Sequence, residues 1–351
     1  MPAFPSVTAL LVALLPALVA PSAGATPPVL FAAHELRDAQ GTPVQPRALN
    51  DAGTVVGRNN ARQLQRAGDA VVAPRGGPLQ VFAPLGENTS TALAIDRQGR
   101  TAGEGHDPAT DRLRAWVRDG AGQVVDLFAD EPLARASANG INSAGTVVGW
   151  QSADDPSPWQ PYAWNAGQVT WLGSLGGTYG VAQAINDLGT IVGWSYDAQS
   201  TPKAFVWTAA AGMKELPGLT GADPLGANKA LAISFNGVAA GSCADERGRT
   251  LACWWPGGTA FRLGGLPGGD GTGHAAAING SGLAVGEAAD RHGQARAVLF
   301  RLGRVINLNL VTQGLPPGTV LTEAVAVNEA NEIAVQGYDE HGYRYFLLTP
   351  L

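Results

Sequence analysis

The chain has 351 residues, of which 45% are hydrophobic and 15% are charged, and this balance excludes an intrinsically disordered protein. A formal net charge of −6, with no segment that concentrates Lys and Arg, excludes the electrostatic attraction on which binding to nucleic-acid phosphates depends. The 47 glycines, 24 prolines and 9 tryptophans favour many short strands joined by tight turns, so an all-β fold is predicted.

The N-terminal segment 1–25 predicts a signal peptide. It contains no charged side chain, and the apolar stretch from Leu10 to Ala20 is too short and too interrupted by proline to span a bilayer easily. Ala23-Gly24-Ala25 supplies a cleavage pattern that places the mature N-terminus near Thr26. An uncleaved apolar anchor is the alternative. We therefore predict a secreted or periplasmic protein with no membrane span after signal removal.

One sequence phrase recurs seven times. It begins with a small residue, an aliphatic residue and Asn, Asp or Ser. In the first six copies Gly follows three and seven positions after the polar residue, and the last copy has Asn331 and Val335 there. The polar residues follow one another at intervals of 44 to 49 residues, which indicates seven structural repeats. They are Asn50, Asp96, Asn142, Asn186, Ser234, Asn279 and Asn328.

Each phrase predicts a tight turn between two strands. The Asn, Asp or Ser side chain can accept a hydrogen bond from the backbone two residues on, and the first Gly adopts positive φ without steric cost. In the last repeat Asn331 replaces that Gly, and Asn tolerates the same left-handed conformation. A second hairpin follows, as at Lys203 to Trp207 and Met213 to Leu219. Each repeat therefore supplies four strands.

Seven four-stranded repeats predict a seven-bladed β-propeller in one domain, 26–351. The small residue at the start of the phrase suits a crowded innermost strand, and the large aromatic rings are expected farther out. The last repeat ends on its third strand, whereas Val29 to Leu36 precedes the first turn without a partner. We expect this N-terminal strand to complete the last blade and close the ring, which removes exposed edges. A β-helix solenoid is the alternative, although its coils are usually shorter.

The two cysteines predict a local disulfide. Cys243 and Cys253 flank a short polar segment, and an exported protein meets an oxidising compartment. Two buried free thiols are the alternative. The cysteine and histidine spacings match no zinc site.

A family resemblance follows from two phrases. The run from Ala184 to Ser195, Ala-Ile-Asn-Asp-Leu-Gly-Thr-Ile-Val-Gly-Trp-Ser, and the run Lys203-Ala-Phe-Val-Trp207 resemble the HAF-type extracellular repeats of bacterial secreted proteins. The resemblance covers essentially the whole mature chain. It departs from the His-Ala-Phe tripeptide at Lys203, Arg114 and Tyr162, and in the first repeat, where Ala70 to Ala73 is a poor match. The resemblance implies an exported repeat protein and assigns no catalytic residue.

Ionisable side chains collect in the predicted loops between second and third strands. In a propeller these loops share one rim with the connections between blades, so an acidic rim would attract a basic partner or a cation such as calcium. Asp is also common in solvated hairpin loops, and metal or acid–base chemistry requires groups that converge. The rim residues considered are Asp107, Asp155, Asp197, Asp245, Asp290 and Asp339, with His106, His274, His292 and His341.

Five aromatic residues lie near the entrances of the same loops: Trp150, Trp159, Tyr179, Trp194 and Tyr196. Their rings could stack on a sugar or a peptide. The alternative is that they cap the apolar core between blades.

The function predicted from the sequence is binding without catalysis. The chain has no Gly-x-Ser-x-Gly, His-Glu-x-x-His or phosphate-loop motif. We expect an exported monomeric propeller that binds an extracellular protein, polysaccharide or cation through one rim. One alternative is a secreted propeller glycosidase or lyase that uses rim carboxylates. Another is a structural surface module.

Overall fold

The computed structural model describes residues 29–59, 68–86, 89–154, 157–301 and 303–351. Seven blades of four antiparallel strands form a ring, so the molecule is a seven-bladed β-propeller, as predicted. The proposed signal peptide, 1–25, lies outside the described residues. Among the residues described, no helix is both long and apolar enough to cross a membrane.

The first four blades each contain four consecutive strands. Blade 1 consists of β2 (Val44–Leu49), β3 (Val55–Asn59), β4 (Ala70–Ala73) and β5 (Gln80–Phe82). Blade 2 consists of β6 (Ser90–Ile95), β7 (Thr101–His106), β8 (Leu113–Arg118) and β9 (Val124–Asp126). Blade 3 consists of β10 (Arg135–Ile141), β11 (Val147–Ser152), β12 (Gln160–Asn165) and β13 (Gln168–Trp171). Blade 4 consists of β14 (Gly176–Ile185), β15 (Ile191–Asp197), β16 (Pro202–Thr208) and β17 (Gly212–Glu215).

The next two blades repeat this order, and the seventh borrows a strand. Blade 5 consists of β18 (Lys229–Ile233), β19 (Ala239–Ala244), β20 (Thr250–Trp255) and β21 (Phe261–Arg262). Blade 6 consists of β22 (Gly273–Ile278), β23 (Ala284–Ala289), β24 (Ala295–Arg301) and β25 (Arg304–Asn307). Blade 7 consists of β27 (Val320–Val327), β28 (Ile333–Asp339), β29 (Gly342–Pro350) and β1 (Phe31–Glu35). Single turns of 3-10 helix lie at Pro256–Gly258 and Leu308–Leu310.

The N-terminal strand closes the ring. β1 pairs antiparallel with β29, from Phe31 opposite Pro350 to Glu35 opposite Phe346. A short strand, β26 (Thr312–Gln313), then pairs parallel with β1 on its outer edge. The predicted closure is therefore confirmed. The extra edge strand is an addition that the repeat pattern does not predict.

The turn after each innermost strand has the predicted geometry. In blade 3, Asn142 Oδ1 accepts the backbone N–H groups of Ala144 and Thr146, at 3.1 and 3.0 Å. Gly145 has a φ of 81°, and Asn331 takes the same left-handed conformation in blade 7 with a φ of 61°. The short polar side chain and the residue with positive φ together shape the turn.

The Asn side chains also join neighbouring blades. While Oδ1 holds its own turn, Nδ2 of Asn142 donates to the carbonyl of Asn186 in the next blade, at 3.1 Å. Asn328 closes the circle by donating to the carbonyl of Asn50, at 3.1 Å. Five seams between blades carry this bond, donated by Asn50, Asn142, Asn186, Asn279 and Asn328. We call it the seam bond.

Two blades lack Asn at this position, and a nearby side chain supplies the missing donor. Asp96 of blade 2 cannot donate, and Arg100 pairs with it while donating from Nη2 to the carbonyls of Asn142 and Ser143, at 3.3 and 2.8 Å. In blade 5, Asn236 is fixed by Ser234 and donates to the carbonyl of Gly280, at 3.2 Å. All seven seams are therefore bridged.

The second Gly of the phrase marks a close backbone approach. Each innermost strand shifts register by one residue, as at Ala182/Ala184, and bulges toward its partner. A Cβ on Gly193 would collide with the carbonyl oxygen of Val181. Blade 7 has Val335 at this position and a second register shift, and there Gly337 makes the close approach.

The core lies between blades and is filled by aromatic rings of the third strands. Trp116, Tyr162, Phe205 and Phe300 are fully buried. The small position of the phrase on the innermost strand is alanine in six blades and Gly140 in blade 3, where a Cβ would already touch the backbone of Ala184 in the next blade. Large rings of the third strands therefore lie farther out between the blades than the small residues of the innermost strands, as predicted.

Cys243 and Cys253 form the predicted disulfide between the second and third strands of blade 5, with their Cα atoms 5.9 Å apart. Both residues are buried. The bond closes a loop with a sequence separation of 10. It lies within one hairpin, so it limits the unfolded chain only over a short segment.

Reduction of this disulfide is expected to lower the free energy of unfolding by about 2 to 3 kcal/mol, the range for short closed loops. Urea denaturation of the oxidised and reduced protein measures the change. The double variant C243A/C253A is the control, since its midpoint should not respond to reductant. An unchanged midpoint in the reduced wild type would contradict the prediction.

Candidate functional site

The strand order gives the propeller two different faces. The turn face carries the Asn turns and the turns between third and fourth strands. The opposite face, called the rim face, carries the loops between second and third strands and the connections between blades. The loop residues considered from the sequence lie on the rim face.

Five rim carboxylates share one local role. In each loop the Asp at the end of the second strand accepts, through Oδ1, the backbone N–H two residues on, at 2.8 to 2.9 Å. These residues are Asp107, Asp197, Asp245, Asp290 and Asp339. Asp155 lies outside the described residues. Each of the five carboxylates therefore organises its own loop.

Arginine neutralises three of these carboxylates. Asp245 pairs with Arg249 at 2.7 Å, Asp290 with Arg296 at 2.8 Å and Asp339 with Arg344 at 2.7 Å. Asp197 has Lys203 Nζ at 4.0 Å. The negative charge that the sequence places on this rim is thus largely paired within single blades.

Hydrogen bonds stabilise the ionised form of four carboxyls. Backbone N–H donors lower the pKa of Asp107 and Asp290. For Asp245 and Asp339 desolvation acts upward, yet hydrogen bonds from the backbone and from Arg249 or Arg344 still lower the pKa. All four groups therefore remain ionised at neutral pH.

The histidines are distributed over separate environments. His106 Nδ1 lies 3.4 Å from Asp111, and His341 Nε2 lies 3.6 Å from Glu340. His292 is an exposed loop residue that accepts from Arg291 at 2.9 Å. Within the ranges that the structure describes, no three His, Cys, Asp or Glu side chains are placed to hold a metal ion.

His274 differs from the others because it bridges two blades. It lies on the innermost strand of blade 6, with Nδ1 3.5 Å from Glu287 of its own blade and Nε2 3.1 Å from Glu323 of blade 7. Burial opposes the imidazolium charge, but the two carboxylates outweigh it and raise the pKa of His274 to about 9. We call these three residues the histidine clamp.

The five aromatic residues form one continuous set of contacts, here called the aromatic ladder. Trp150 stacks on Trp159 with ring centroids 4.5 Å apart, and Trp159 meets the edge of Tyr179 at 6.0 Å. Tyr179 meets Tyr196 at 5.8 Å, and Tyr196 contacts Trp194 at 5.8 Å. These are favourable separations for aromatic pairs. The ladder crosses from blade 3 to blade 4 on the rim face.

The ladder remains partly open to solvent. Trp159 is 38% exposed, and the other four rings are half-buried. At its far end the Lys229 ammonium of blade 5 lies 4.8 Å from the centre of the Trp194 ring, a cation–π contact. The rings thus combine a fixed geometry with a surface that a ligand can reach.

The position after the second Gly explains where the ladder lies. Trp150 and Trp194 occupy this position in blades 3 and 4. The equivalent residues of the other blades are Arg58, Glu104, Ser242, Glu287 and Gln336. Trp150 and Trp194 thus replace the polar residue that the other five blades have at this position. This replacement is the sequence signal that locates the ladder.

Two neighbours of the ladder, Lys229 and Trp171, were not predicted as site residues from the sequence. Lys229 lies on the innermost strand of blade 5, and no local pattern connects it to Trp194. Trp171 ends the outer strand of blade 3 and is 45% exposed. The alternation of strand side chains is the available signal, since buried Leu172 follows Trp171 and faces the other way.

Comparison with known proteins bears on the fold. No family model matches the sequence, and no curated protein matches it. Among solved structures, a puromycin hydrolase mutant complexed with PGG aligns with a TM-score of 0.51 at 12% identity, over 88% of this chain and 52% of that chain. The present chain thus spans about half of that protein.

Two further alignments have lower scores. TolB from Acinetobacter baumannii aligns with a TM-score of 0.42 at 14% identity, over 67% of this chain and 64% of that chain. The SapL1 lectin in complex with alpha methyl fucoside aligns at 0.38 and 13% identity, over 92% and 95%. Identities this low bear on the fold alone, and the resemblance to HAF repeats stays a prediction.

Proposed function

We propose that this chain is an exported, non-catalytic propeller that binds an extracellular polymer or protein through the aromatic ladder. The observation that carries the proposal is the unbroken set of five rings across blades 3 and 4, with Trp159 exposed. Aromatic side chains on rigid strands provide large contact areas at low entropic cost, and Trp and Tyr dominate binding hot spots.

The rim carboxylates support binding without catalysis. A general acid needs a pKa raised toward neutrality, whereas hydrogen bonds lower the pKa of Asp107, Asp245, Asp290 and Asp339. Backbone N–H groups of the same loops bond all four carboxylates, and arginines pair with three of them, Asp245, Asp290 and Asp339. In the proposed function these four aspartates therefore stabilise the conformation of their own loops.

Export has three lines of support. The sequence predicts a signal peptide, and the buried Cys243–Cys253 disulfide is typical of proteins that reside in oxidising compartments. The resemblance to HAF repeats implies the same location. A partner at the outer surface or in the periplasm then meets the rim face.

The test compares ligand binding by the mature chain and by Trp159→Ala. The probes are laminarin, xylan, dextran, polygalacturonate and a decaproline peptide. Their binding is measured by tryptophan fluorescence and affinity electrophoresis. We expect at least one probe to bind and its Kd to rise about tenfold or more in the variant, as for a truncated hot-spot ring. Phe261→Ala is the control, because Phe261 is 50% exposed on blade 5, away from the ladder.

Two outcomes would overturn the proposal. Binding that is equal in wild type and Trp159→Ala would remove the ladder from recognition, and so would failure of every probe to bind. Release of new reducing ends from a polysaccharide would contradict the non-catalytic assignment.

A further inference from the structure

A cavity of about 320 Å³ opens beside the ladder, at the seam between blades 3 and 4 on the rim face. Three aromatic side chains line it: Trp159, Trp171 and Tyr179. The volume lies at the small end of the range of about 300 to 1,000 Å³ for ligand pockets, which suits one or two sugar-sized rings.

The indole rings offer apolar surface to the cavity. Trp159 uses one face to stack on Trp150, with an interplanar angle of 22°, and still exposes 38% of its surface. Trp171 comes from the outer strand of the same blade and is 45% exposed. Two exposed indoles beside one cavity are costly to leave in water, and a ligand with a flat apolar face would cover them.

The cavity is built on rigid backbone. The N–H of Gly180, on the innermost strand of blade 4, donates to the carbonyl of Trp159 at 2.9 Å and ties the two blades together. A Cβ on Gly180 would press on the Pro161 ring, and one on Gly177 would collide with the backbone of Asp197. The absence of these Cβ atoms lets the seam close to this shape, so little ordering is required on binding.

The polar groups of the cavity are neutral. Gln160, Ser174 and Thr178 line it, and their side chains both donate and accept hydrogen bonds. None of the described lining residues carries a charge. Groups that donate and accept match hydroxyls, which also do both, whereas a carboxylate or phosphate ligand would lack a charge partner here.

We propose that this cavity binds a neutral pyranose unit of a glycan, with the C–H face of the sugar on the indoles of Trp159 and Trp171. The sugar hydroxyls then meet Gln160, Ser174 and Thr178. The inference rests on the proposed binding function and names its ligand class. A proline-rich peptide also packs on aromatic grooves, but its ring nitrogen has no N–H to pair with the polar side chains.

The experiment uses Trp171→Ala, because Trp171 lines the cavity and takes no part in the ladder. Neutral laminarin, xylan and dextran are compared with anionic polygalacturonate and with decaproline by affinity electrophoresis and calorimetry. We expect a neutral glycan to bind, with a Kd raised about tenfold or more by Trp171→Ala and by Trp159→Ala. Phe261→Ala, which truncates an equally exposed ring on the outer strand of blade 5, should bind as the wild type does.

A second variant separates this inference from the proposed function. Tyr196→Ala removes a ladder ring that is not among the residues lining the cavity. Binding lost in Tyr196→Ala and Trp159→Ala but retained in Trp171→Ala would overturn the sugar cavity and leave the ladder as the binding surface. Preference for decaproline or polygalacturonate would also overturn it. If no probe binds, both proposals fail. Binding lost in Trp171→Ala and Trp159→Ala but retained in Tyr196→Ala supports the cavity and restricts recognition to the part of the ladder that lines it.

Discussion

Replacing Arg100 by Thr is expected to lower the free energy of unfolding by about 3 kcal/mol, the low end of the range for breaking a buried ion pair. Arg100 is 28% exposed, which keeps the loss from being larger, but its partner Asp96 is only 1% exposed. The variant leaves this carboxylate without its guanidinium. It also removes the donor that reaches the carbonyls of Asn142 and Ser143 in blade 3.

The double variant D96N/R100T tests the reason for the loss. Blades 1, 3 and 4 have Asn at this turn position and Thr four residues later, so the double variant gives blade 2 the arrangement of its neighbours. An Asn at position 96 holds the turn with Oδ1 and supplies the seam bond with Nδ2. We therefore expect it to recover most of the stability lost in R100T.

Urea denaturation of the two variants and the wild type measures both effects. The free energies are obtained by linear extrapolation, with m-values compared to verify that the same surface unfolds. A double variant no more stable than R100T would show that the seam bond does not account for the loss. A wild-type midpoint in R100T would show that the Asp96–Arg100 pair is dispensable.

The histidine clamp is expected to make stability depend on pH above neutrality. The pKa of His274 is about 9 in the folded protein and 6.5 ordinarily, a gap worth about 3 kcal/mol. Because the folded pKa is the higher one, the contribution is fully present below pH 6.5. It is lost as the pH rises through 9, when the imidazolium between Glu287 and Glu323 loses its proton.

The measurement is the free energy of unfolding between pH 6 and pH 10. We expect the wild type to lose about 3 kcal/mol more than His274→Gln over this interval, since Gln has no charge to lose. His341→Gln is the control, because His341 is an exposed loop residue and its loss should leave the pH profile unchanged. Parallel profiles for the wild type and His274→Gln would contradict a charged clamp between blades 6 and 7.

The clamp also has an acid limit. A hydrogen bond between Glu287 and His274 lowers the pKa of Glu287, although burial of the carboxyl acts in the opposite direction. A lowered carboxyl pKa contributes stability that is present above the ordinary value and is lost as the pH falls through the folded value. The histidine clamp therefore stabilises the fold most at pH values between the titration of Glu287 and that of His274.

The repeat, the four-stranded blade and the closure of the ring could be predicted from the sequence. These depend on local chemistry: a side-chain acceptor at Asn142, positive φ at Gly145, and Asn331 where Gly is absent. The repeat pattern leaves the strand before the first turn without a partner and gives the last repeat only three strands. Pairing the first strand with the last repeat was therefore predicted. The cysteine spacing within one hairpin likewise predicted the disulfide.

The contacts between repeats depend on the folded ring and could not be predicted from the sequence. The second role of Asn142, as donor to Asn186, depends on the curvature of the ring, and so does the replacement of that donor by Arg100 in blade 2. In six blades the second Gly of the phrase avoids a carbonyl oxygen of the innermost strand, a contact that the residue pattern does not predict. The same holds for the displaced Gly337 in blade 7.

The site divides along the same line. The sequence placed the acidic residues in rim loops, but each carboxylate binds its own loop because the ring holds successive loops on separate blades. It also named the five aromatic residues, from Trp150 to Tyr196, without joining them. Their contacts, and the cavity that Trp171 completes, exist because the wedge between blades 3 and 4 brings side chains from two repeats together. The spacing of these residues along the chain does not indicate that they meet between blades 3 and 4.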